Sequence, residues 1–380
     1  MLTKKHMYSR GVSRSLCFFL LIFCSFFSIN SFLINPTYIF GLLTLIFSFF
    51  FFNGKVDKLE FIFYVYFFIS ILLFFIAIYY FSIITNDEKI LSSILYLYCI
   101  LLGSQTIALG MLLSREKRVS IYRVVYSFLI IFMILELFFR VVFAGGHASS
   151  FYDYKQSLFF TDSNFSSFIV LFFLMFALFL KDKKIYNIGV AKFSILIFLL
   201  VMTFSRASIF AYFVGYLFVR SNIKYKTAIF FSFLIVYFYV FYRMVSNYID
   251  GASYRDLDGS FNSKFYLISV AIDNYSKLPL VNKFFGIGLN NFPYYADGRF
   301  AHNIFITFIY EFGYLGSIGF ILFIFYSYKK IGKDYTYLLI PMLVAGFSLF
   351  SAYMPFFFVL SACMYIEIKK NHGKTDMGAI

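Results

Sequence analysis

The sequence predicts an all-α, polytopic integral membrane protein with about 12 transmembrane helices, within a range of 10 to 12. Hydrophobic residues make up 62% of the 380 residues and charged residues only 13%, against roughly 25% charged in an ordinary soluble domain. Apolar runs recur along the whole chain, and most are long enough to cross a hydrocarbon core of ~30 Å as a helix. The runs lie at 16–34, 37–53, 61–84, 90–113, 121–143, 165–180, 188–204, 206–219, 227–245, 303–325, 335–352 and 354–368.

The distribution of basic residues predicts the orientation of these helices. Lys and Arg concentrate in cytoplasmic loops of membrane proteins. With the runs above, 23 of the 33 Lys and Arg residues fall on the side of the termini and 10 on the other side. The first run is long and lacks a small-residue cleavage site, which favours a retained helix over a signal peptide. We therefore expect both termini in the cytoplasm.

The runs also divide the chain into three parts. One external loop is far longer than a connector needs, and long loops are usually functional or disordered. Apolar residues recur in it at helical spacing, which predicts a short amphipathic helix that lies on the outer face and covers a cavity; they are Ile268, Ala271, Ile272 and Tyr275. The parts are 1–245 with about nine helices, the loop 246–301, and 302–380 with the last helices and the tail.

Two other functional classes are disfavoured by the same composition. The net charge of +15 is spread over short loops as an orientation signal, so we expect no nucleic-acid partner. All four cysteines lie in apolar runs without metal-ligand spacing, which predicts neither a disulfide framework nor a metal site. They are Cys17, Cys24, Cys99 and Cys363.

Arginines on the outer side are candidates for anion binding, because Lys and Arg are normally concentrated on the cytoplasmic side of a membrane protein. A guanidinium grips phosphate or carboxylate with two parallel hydrogen bonds. Arg206 stands in a tight turn between two runs, whereas snorkelling at a helix end is the competing explanation for the others. They are Arg140, Arg243, Arg255 and Arg299.

Two weaker patterns involve carboxylates. Asp256 and Asp258 form a loop pair that could ligate a divalent metal, although paired loop aspartates are common. Glu136 and Arg140 are spaced i, i+4 and are expected to form an ion pair within their helix.

His302 stands where the long loop returns to the membrane, in GRFAHNIF. It is a candidate general base or hydrogen-bonding group, while a merely solvated histidine is the alternative. Glu311 follows nine residues later, half a turn out of phase, so on a straight helix it faces away from His302. Gly313, Gly316 and Gly319 follow at i+3 spacing, which favours close helix packing.

Three local motifs over residues 200–325 resemble the superfamily of O-antigen ligases and Wzy-type O-antigen polymerases. TFSRAS at 203–208 resembles the family's Ser-Arg turn, GIGLNNF at 286–292 its Gly-x-Gly-x-x-x-Phe stretch, and HNIFITFIYEFGYLGSIG at 302–319 its His-Asn start followed by Glu-x-Gly-x-x-Gly. The N-terminal half matches only as hydrophobic helices. Where the family often has a loop arginine, this chain has Lys264, with Arg255 nine residues earlier.

The resemblance implies a bacterial inner-membrane glycosyltransferase of polysaccharide assembly that needs neither metal nor cofactor. Its donor is a glycan on undecaprenyl pyrophosphate, which it moves to a lipid-linked repeat unit at the periplasmic face. The family's essential residues map onto Arg206 and His302 as catalytic groups. The expected substrate-binding residues are Arg140, Arg255, Lys264, Tyr294, Arg299 and Asn303.

Two alternatives remain open from the sequence. A ligase would transfer the finished glycan to lipid A core, and no residue separates it from the polymerase. A lipid-linked oligosaccharide flippase also fits 12 helices, but alternating access predicts two related halves and mid-membrane charges, and the chain has no internal repeat. Expected partners are the lipid-linked oligosaccharide, membrane lipids and a chain-length regulator protein.

Overall fold

A long series of α-helices makes up almost all of the regular structure. The computed structural model describes residues 2–29, 32, 35–51, 54–83, 90–144, 153–157, 159–221, 225, 228, 231–232, 235, 239, 242, 259–349 and 353–375. Within them, strand structure is limited to an antiparallel pair in which Gln156 faces Asp162 and Ser157 faces Thr161. The helices are α1 Leu2–Phe26, α2 Pro36–Phe49, α3 Lys58–Ser82, α4 Ile90–Leu112, α5 Arg115–Ala144, α6 Ser163–Asp182, α7 Val190–Met202, α8 Arg206–Arg220, α9 Gly259–Tyr275, α10 Leu280–Phe285, α11 Ile304–Ile306, α12 Gly313–Ile331, α13 Thr336–Leu349 and α14 Pro355–Thr375.

Five helical segments are long and apolar enough to cross a membrane, among the described residues. They are α3, α4, α5, α6 and the segment Ile304–Leu349. Helices α2, α7 and α8 are apolar but have only 14, 13 and 15 residues. The protein is thus a helical membrane protein, while the number of 12 spans stays a prediction. Most of the run predicted at 227–245 lies outside the described residues.

Helix α6 lies at the centre of the bundle. In the most apolar 18-residue stretch of α6, 89% of the residues are buried inside the protein, whereas in that of α3 only 28% are buried. A helix that is apolar all round is stable when other helices surround it, and α6 is apolar on every face between Phe168 and Leu180. Helix α3 instead exposes aromatic and aliphatic side chains, as expected for a helix in contact with lipid.

One end of the bundle is held together by ion pairs between the helix ends. Arg118 Nε lies 2.6 Å from a carboxylate oxygen of Glu367, and both side chains are almost fully buried. Further pairs join Lys183 to Asp334, Arg220 to Asp182 and Lys369 to Asp57. These residues come from the loops that carry most of the positive charge, so the structure brings the basic loops together at one face, which is called the basic end below.

The opposite end, called the cavity end, is built from the other helix termini. The end of α1 and the starts of α2, α4, α6 and α14 meet there, and the segment 286–302 lies among them. Packing of this kind follows from successive helices that run in opposite directions. It places everything that returns from the long loop at the end opposite to the basic loops.

Candidate functional site

The helix that follows the long loop is broken. The run 303–325 predicts a single helix, but the chain forms one α-helical turn, α11, and then a π-helical turn at Thr307–Phe312. Helix α12 begins at Gly313, whose φ of +64° lies in the left-handed region. π-helical turns are rare and occur frequently at functional sites.

The Gly-x-Gly motif binds to this break. The backbone N–H of Ile287 donates to the carbonyl of Tyr310 at 2.9 Å, and that of Gly288 donates to the carbonyl of Glu311 at 3.2 Å. A Cβ on Gly286 would overlap the carbonyl oxygen of Glu311 and lie 2.7 Å from its carbonyl carbon. The two motifs are therefore parts of one structural unit, and glycine at 286 permits their close approach.

The glycines after Glu311 have different roles from the predicted one. A Cβ on Gly313 would meet the backbone of residues 284–286, and a Cβ on Gly316 would meet the ring of Phe312 in the same segment. Only Gly319 faces another helix, at 3.8 Å from Tyr66 of α3. The expectation that all three serve helix–helix packing is thus wrong for Gly313, which serves contact with the loop.

A cavity of about 420 Å³ opens beside the break, at the cavity end of the bundle. Its size is within the range of pockets that hold small ligands. Its walls combine aromatic rings with a small number of polar side chains, as is usual for binding sites. The polar or titratable lining residues are Cys24, Ser25, Ser28, Asn35, Thr37, Tyr38, Ser92, Asn290, His302, Thr307, Glu311 and Tyr353.

His302 lines this cavity, as the sequence predicts for a functional residue. Its φ is +42°, a conformation that non-glycine residues adopt rarely and that is enriched at functional sites. The imidazole lies between Phe165 and Phe300, with ring centroids at 5.8 and 5.9 Å. The side chain is exposed, so a substrate can reach it.

Glu311 lines the same cavity, contrary to the prediction that it faces away from His302. The prediction assumes a regular α-helix with 3.6 residues per turn, whereas the π-helical turn changes the angular position of the residues that follow. The carboxylate accepts a hydrogen bond from the backbone N–H of Asn290 at 3.0 Å. The side chain is buried, with 6% of its surface exposed.

The connection between α1 and α2 supplies a polar wall. Asn35 caps α2, because its Oδ1 accepts from the N–H of Thr37 at 3.1 Å. Its amide nitrogen donates to Ser28 Oγ at 2.6 Å. This wall comes from a part of the chain in which the sequence indicated only generic helices.

The Ser-Arg turn lies on the other side of α6 from the cavity. Ser205 is the N-cap of α8 and Arg206 its first residue, with an exposed side chain. Ser167 of α6 shares a 2.7 Å hydrogen bond with Ser208, while Phe165 of the same helix contacts the ring of His302. Arg206 and His302 therefore stand on opposite sides of the start of α6, and Arg206 does not line the cavity.

Arg140 stabilises the same turn from within the protein. Its Nε lies 3.3 Å from Glu136, which confirms the predicted i, i+4 pair. Its Nη1 donates to the carbonyls of Tyr154 and Met202. The guanidinium is 2% exposed, so a structural role, and not substrate binding, fits its contacts.

Two predicted binding residues lie on the surface of the loop. The guanidinium of Arg299 lies 4.9 Å from the ring centroid of Tyr266 and is exposed. Tyr294 is exposed and makes an edge contact with Tyr295 at 5.1 Å. Burial raises the pKa of Tyr295 to about 12, and the neighbouring Tyr294 adds to this rise, so Tyr295 stays a neutral hydrogen-bonding group at physiological pH. Neither Arg299 nor Tyr294 lines the cavity.

The remaining predicted binding residues have other positions. Asn303 is a helix cap: its Oδ1 accepts from Phe305 N at 2.9 Å, and its Nδ2 donates to the carbonyl of Phe347 at 2.9 Å. This use of both amide atoms explains Asn303 without a substrate. Lys264 belongs to α9, but its side chain lies outside the described part of the structure, as does all of Arg255.

Helix α9 confirms the amphipathic helix that the sequence predicts in the long loop. The four apolar residues named in the sequence analysis line a second, apolar groove of about 470 Å³ together with the broken helix, although Ile272 is 66% exposed. The hydroxyl of Tyr310 in the break donates to the carbonyl of Ala271. The loop helix therefore covers the break itself.

Neither a disulfide nor a group of metal ligands is present among the described residues. All four cysteines are buried and free of disulfides. No three of the described His, Cys, Asp and Glu residues are grouped as metal ligands would be. Asp256 and Asp258 lie outside those residues, so independence from metal stays a prediction.

Comparison with known proteins finds no similarity on which to build: no family model, no curated protein and no solved structure matches this chain. The residues of the site and the three motifs are therefore what indicates the function.

Proposed function

We propose that this protein is a glycosyltransferase that polymerises lipid-linked glycan repeat units, in the manner of an O-antigen polymerase. The observation that carries the proposal is the cavity that has both His302 and Glu311 in its wall. A histidine and a carboxylate in one pocket are suited to proton transfer. The Ser-Arg turn lies on the other side of the start of α6, at the same end of the bundle.

The reaction requires both features. The hydroxyl of an acceptor sugar attacks C1 of the donor sugar, the new C1–O bond forms, and the bond from C1 to the lipid pyrophosphate breaks with its electron pair. The hydroxyl loses its proton to a protein base, and His302 orients or deprotonates this hydroxyl. Arg206 binds the pyrophosphate and stabilises the negative charge that develops on it as it leaves.

The membrane setting agrees with such a donor. A polyprenyl tail keeps the donor in the bilayer, and its headgroup lies at the surface, where the cavity end of the bundle is expected. We propose that this end faces the periplasm, that both termini are cytoplasmic, and that the membrane is the bacterial inner membrane. A chain-length regulator is the proposed protein partner.

Three variants of the protein test the proposal. Turnover is measured with lipid-linked repeat unit extracted from a strain that lacks the gene. His302→Ala is expected to lose turnover by about 10²–10⁴-fold while it still binds the donor. Arg206→Lys keeps the charge but loses the two parallel hydrogen bonds that a guanidinium donates to a phosphate, so it too is expected to be severely impaired.

Arg220→Ala is the matched control for the loss of an arginine. Arg220 pairs with Asp182 at the basic end, far from the cavity, and its variant is expected to polymerise normally. Wild-type amounts of each protein in the membrane are required. Normal polymer made by a well-expressed His302→Ala protein would contradict the proposed role of the cavity.

Deletion of the gene distinguishes the polymerase from its alternatives. Lipopolysaccharide that carries core plus one repeat unit is the result expected for a lost polymerase. Bare core with accumulated lipid-linked polymer would identify a ligase instead. Repeat units that accumulate on the cytoplasmic face would identify a flippase.

A further inference from the structure

The buried carboxylate of Glu311 has a position that its structural contact does not explain. It accepts the backbone N–H groups of Asn290 and Phe292, and a neutral glutamine oxygen would keep the bond from Asn290. A carboxyl group buried at membrane depth is costly to ionise and usually functional. The described residues that line the cavity include neither lysine nor arginine, so no ion pair with such a residue explains its position.

The geometry of the break directs this carboxylate toward substrate space. Residues 286–288 bind the carbonyls of Tyr310 and Glu311, which holds the π-helical turn in place. Thr307, one turn earlier, lines the same cavity. The broken helix thus presents the carboxylate of Glu311 to a pocket that His302 also lines.

Within the proposed glycosyl transfer, on which this step rests, we propose that Glu311 is the base that accepts the proton of the acceptor hydroxyl. As the hydroxyl oxygen bonds to C1 of the donor sugar, its proton passes to a carboxylate oxygen of Glu311. The electron pair of the broken C1–O bond leaves with the lipid pyrophosphate. His302 then serves to orient the hydroxyl.

Glu311→Gln tests this role with little change in structure. The glutamine oxygen keeps the hydrogen bond from Asn290 but cannot accept the proton. Its kcat is expected to fall by about 10²–10⁴-fold, with the KM for the lipid-linked repeat unit and the melting temperature close to wild type. Glu311→Asp keeps a carboxylate and is expected to recover part of the rate.

Glu60→Gln is the matched control. Glu60 is also buried, with 1% exposed, and its carboxylate accepts the backbone N–H of Asp57 at 3.1 Å. It lies at the basic end of the bundle. The same chemical change there is expected to leave kcat unchanged.

Chemical rescue separates a base from a merely structural carboxylate. Glu311→Ala leaves space in the cavity wall, and added formate is expected to restore part of its turnover, with no effect on the wild type. A Glu311→Gln protein with wild-type kcat would overturn the proposal. The proposal would also be overturned if the lower turnover of Glu311→Gln came from weaker donor binding or a lower melting temperature and if formate did not rescue Glu311→Ala.

The proposed function and this inference fail in different ways. If purified wild type does not join lipid-linked repeat units, the proposed function itself is wrong. If wild type joins them and Glu311→Gln does so equally fast, only the role of Glu311 is wrong.

Discussion

Gly313→Ala is the substitution most sensitive to the architecture of the site. Gly313 has a φ of +64° and begins α12 immediately after the π-helical turn. An alanine Cβ would overlap the backbone nitrogen of Gly286 and lie 2.7 Å from the carbonyl oxygen of Phe284. These are backbone atoms, so rotation of a side chain cannot relieve the overlap.

The expected cost follows from two contributions. With ψ at −176°, Gly313 has a backbone conformation that essentially only glycine adopts, which costs an alanine about 1–3 kcal/mol. Relief of the overlap displaces residues 286–288 and with them the hydrogen bonds from Ile287 and Gly288 to the break, each worth about 1 kcal/mol net. The free energy of unfolding is therefore expected to fall by about 3–5 kcal/mol.

Thermal unfolding in detergent, followed by circular dichroism, measures this loss, and turnover of the lipid-linked repeat unit measures the effect on the site. On the scale of soluble domains the midpoint falls by on the order of 5 °C or more. Gly319→Ala is the control, because its Cβ would lie at an ordinary 3.8 Å from Tyr66, and alanine gains about 1 kcal/mol in a helix. A Gly313→Ala protein as stable and active as Gly319→Ala would refute the described contact between the loop and the break.

Three further predictions concern orientation, pH and metal. All four natural cysteines are buried, so an introduced cysteine can be labelled selectively. A cysteine at the exposed Ser276 is expected to react with an impermeant maleimide in intact spheroplasts, and one at Lys333 only after the membrane is opened. The reverse labelling pattern would invert the topology. Asp57 is partly buried, which opposes its ionisation, but hydrogen bonds from Lys369 and Tyr365 outweigh this effect and hold its pKa below the ordinary value. The stability from this carboxylate is therefore present at neutral pH and is lost as the pH falls below about 4. The melting midpoint of wild type is expected to drop more steeply there than that of Asp57→Asn. Equal slopes of the two melting midpoints against pH would contradict the pairing. Finally, turnover by purified protein is expected to persist in EDTA, and activity that only magnesium or manganese restores would direct attention to the aspartates of the long loop.

Composition and charge were sufficient to predict the helical membrane class, because both follow from the solvent that each segment contacts. The helical spacing of apolar residues in the loop predicts α9, because a helix that is covered on one face has apolar residues at that spacing whatever the covering element is. The arrangement of the basic loops at one end was also predictable, from the alternation of charge along the chain. Each of these features depends on the composition of one segment and on the solvent around it, so the sequence is sufficient to predict it.

The position of Glu311 was not predictable in the same way. Periodicity assumes a constant angle per residue, and the π-helical turn changes that angle through contacts with a segment more than 20 residues earlier. A signal was present in Gly313, because a glycine directly after the Glu-Phe pair permits a helix to stop and restart. The role of Asn303 was missed for a related reason, since a residue that caps a helix and a residue that binds a substrate have the same appearance in a sequence.

The broken helix also explains how two motifs far apart in the sequence, the Gly-x-Gly stretch and the motif that begins at His302, form one structural unit. The Gly-x-Gly segment holds the break, and the break brings Glu311 into the wall that His302 lines. The first turns of α6 connect this wall to the arginine turn, through Phe165 on one face and Ser167 on the other. In the proposed transfer, a donor would reach both groups only by passing over the first turn of α6, with its pyrophosphate toward the Ser-Arg turn and its sugar in the cavity. Because C1 of the donor sugar is joined to the phosphate through a single oxygen atom, the reacting carbon in the proposed transfer has to lie at the edge of the cavity that is nearest to this first turn of α6.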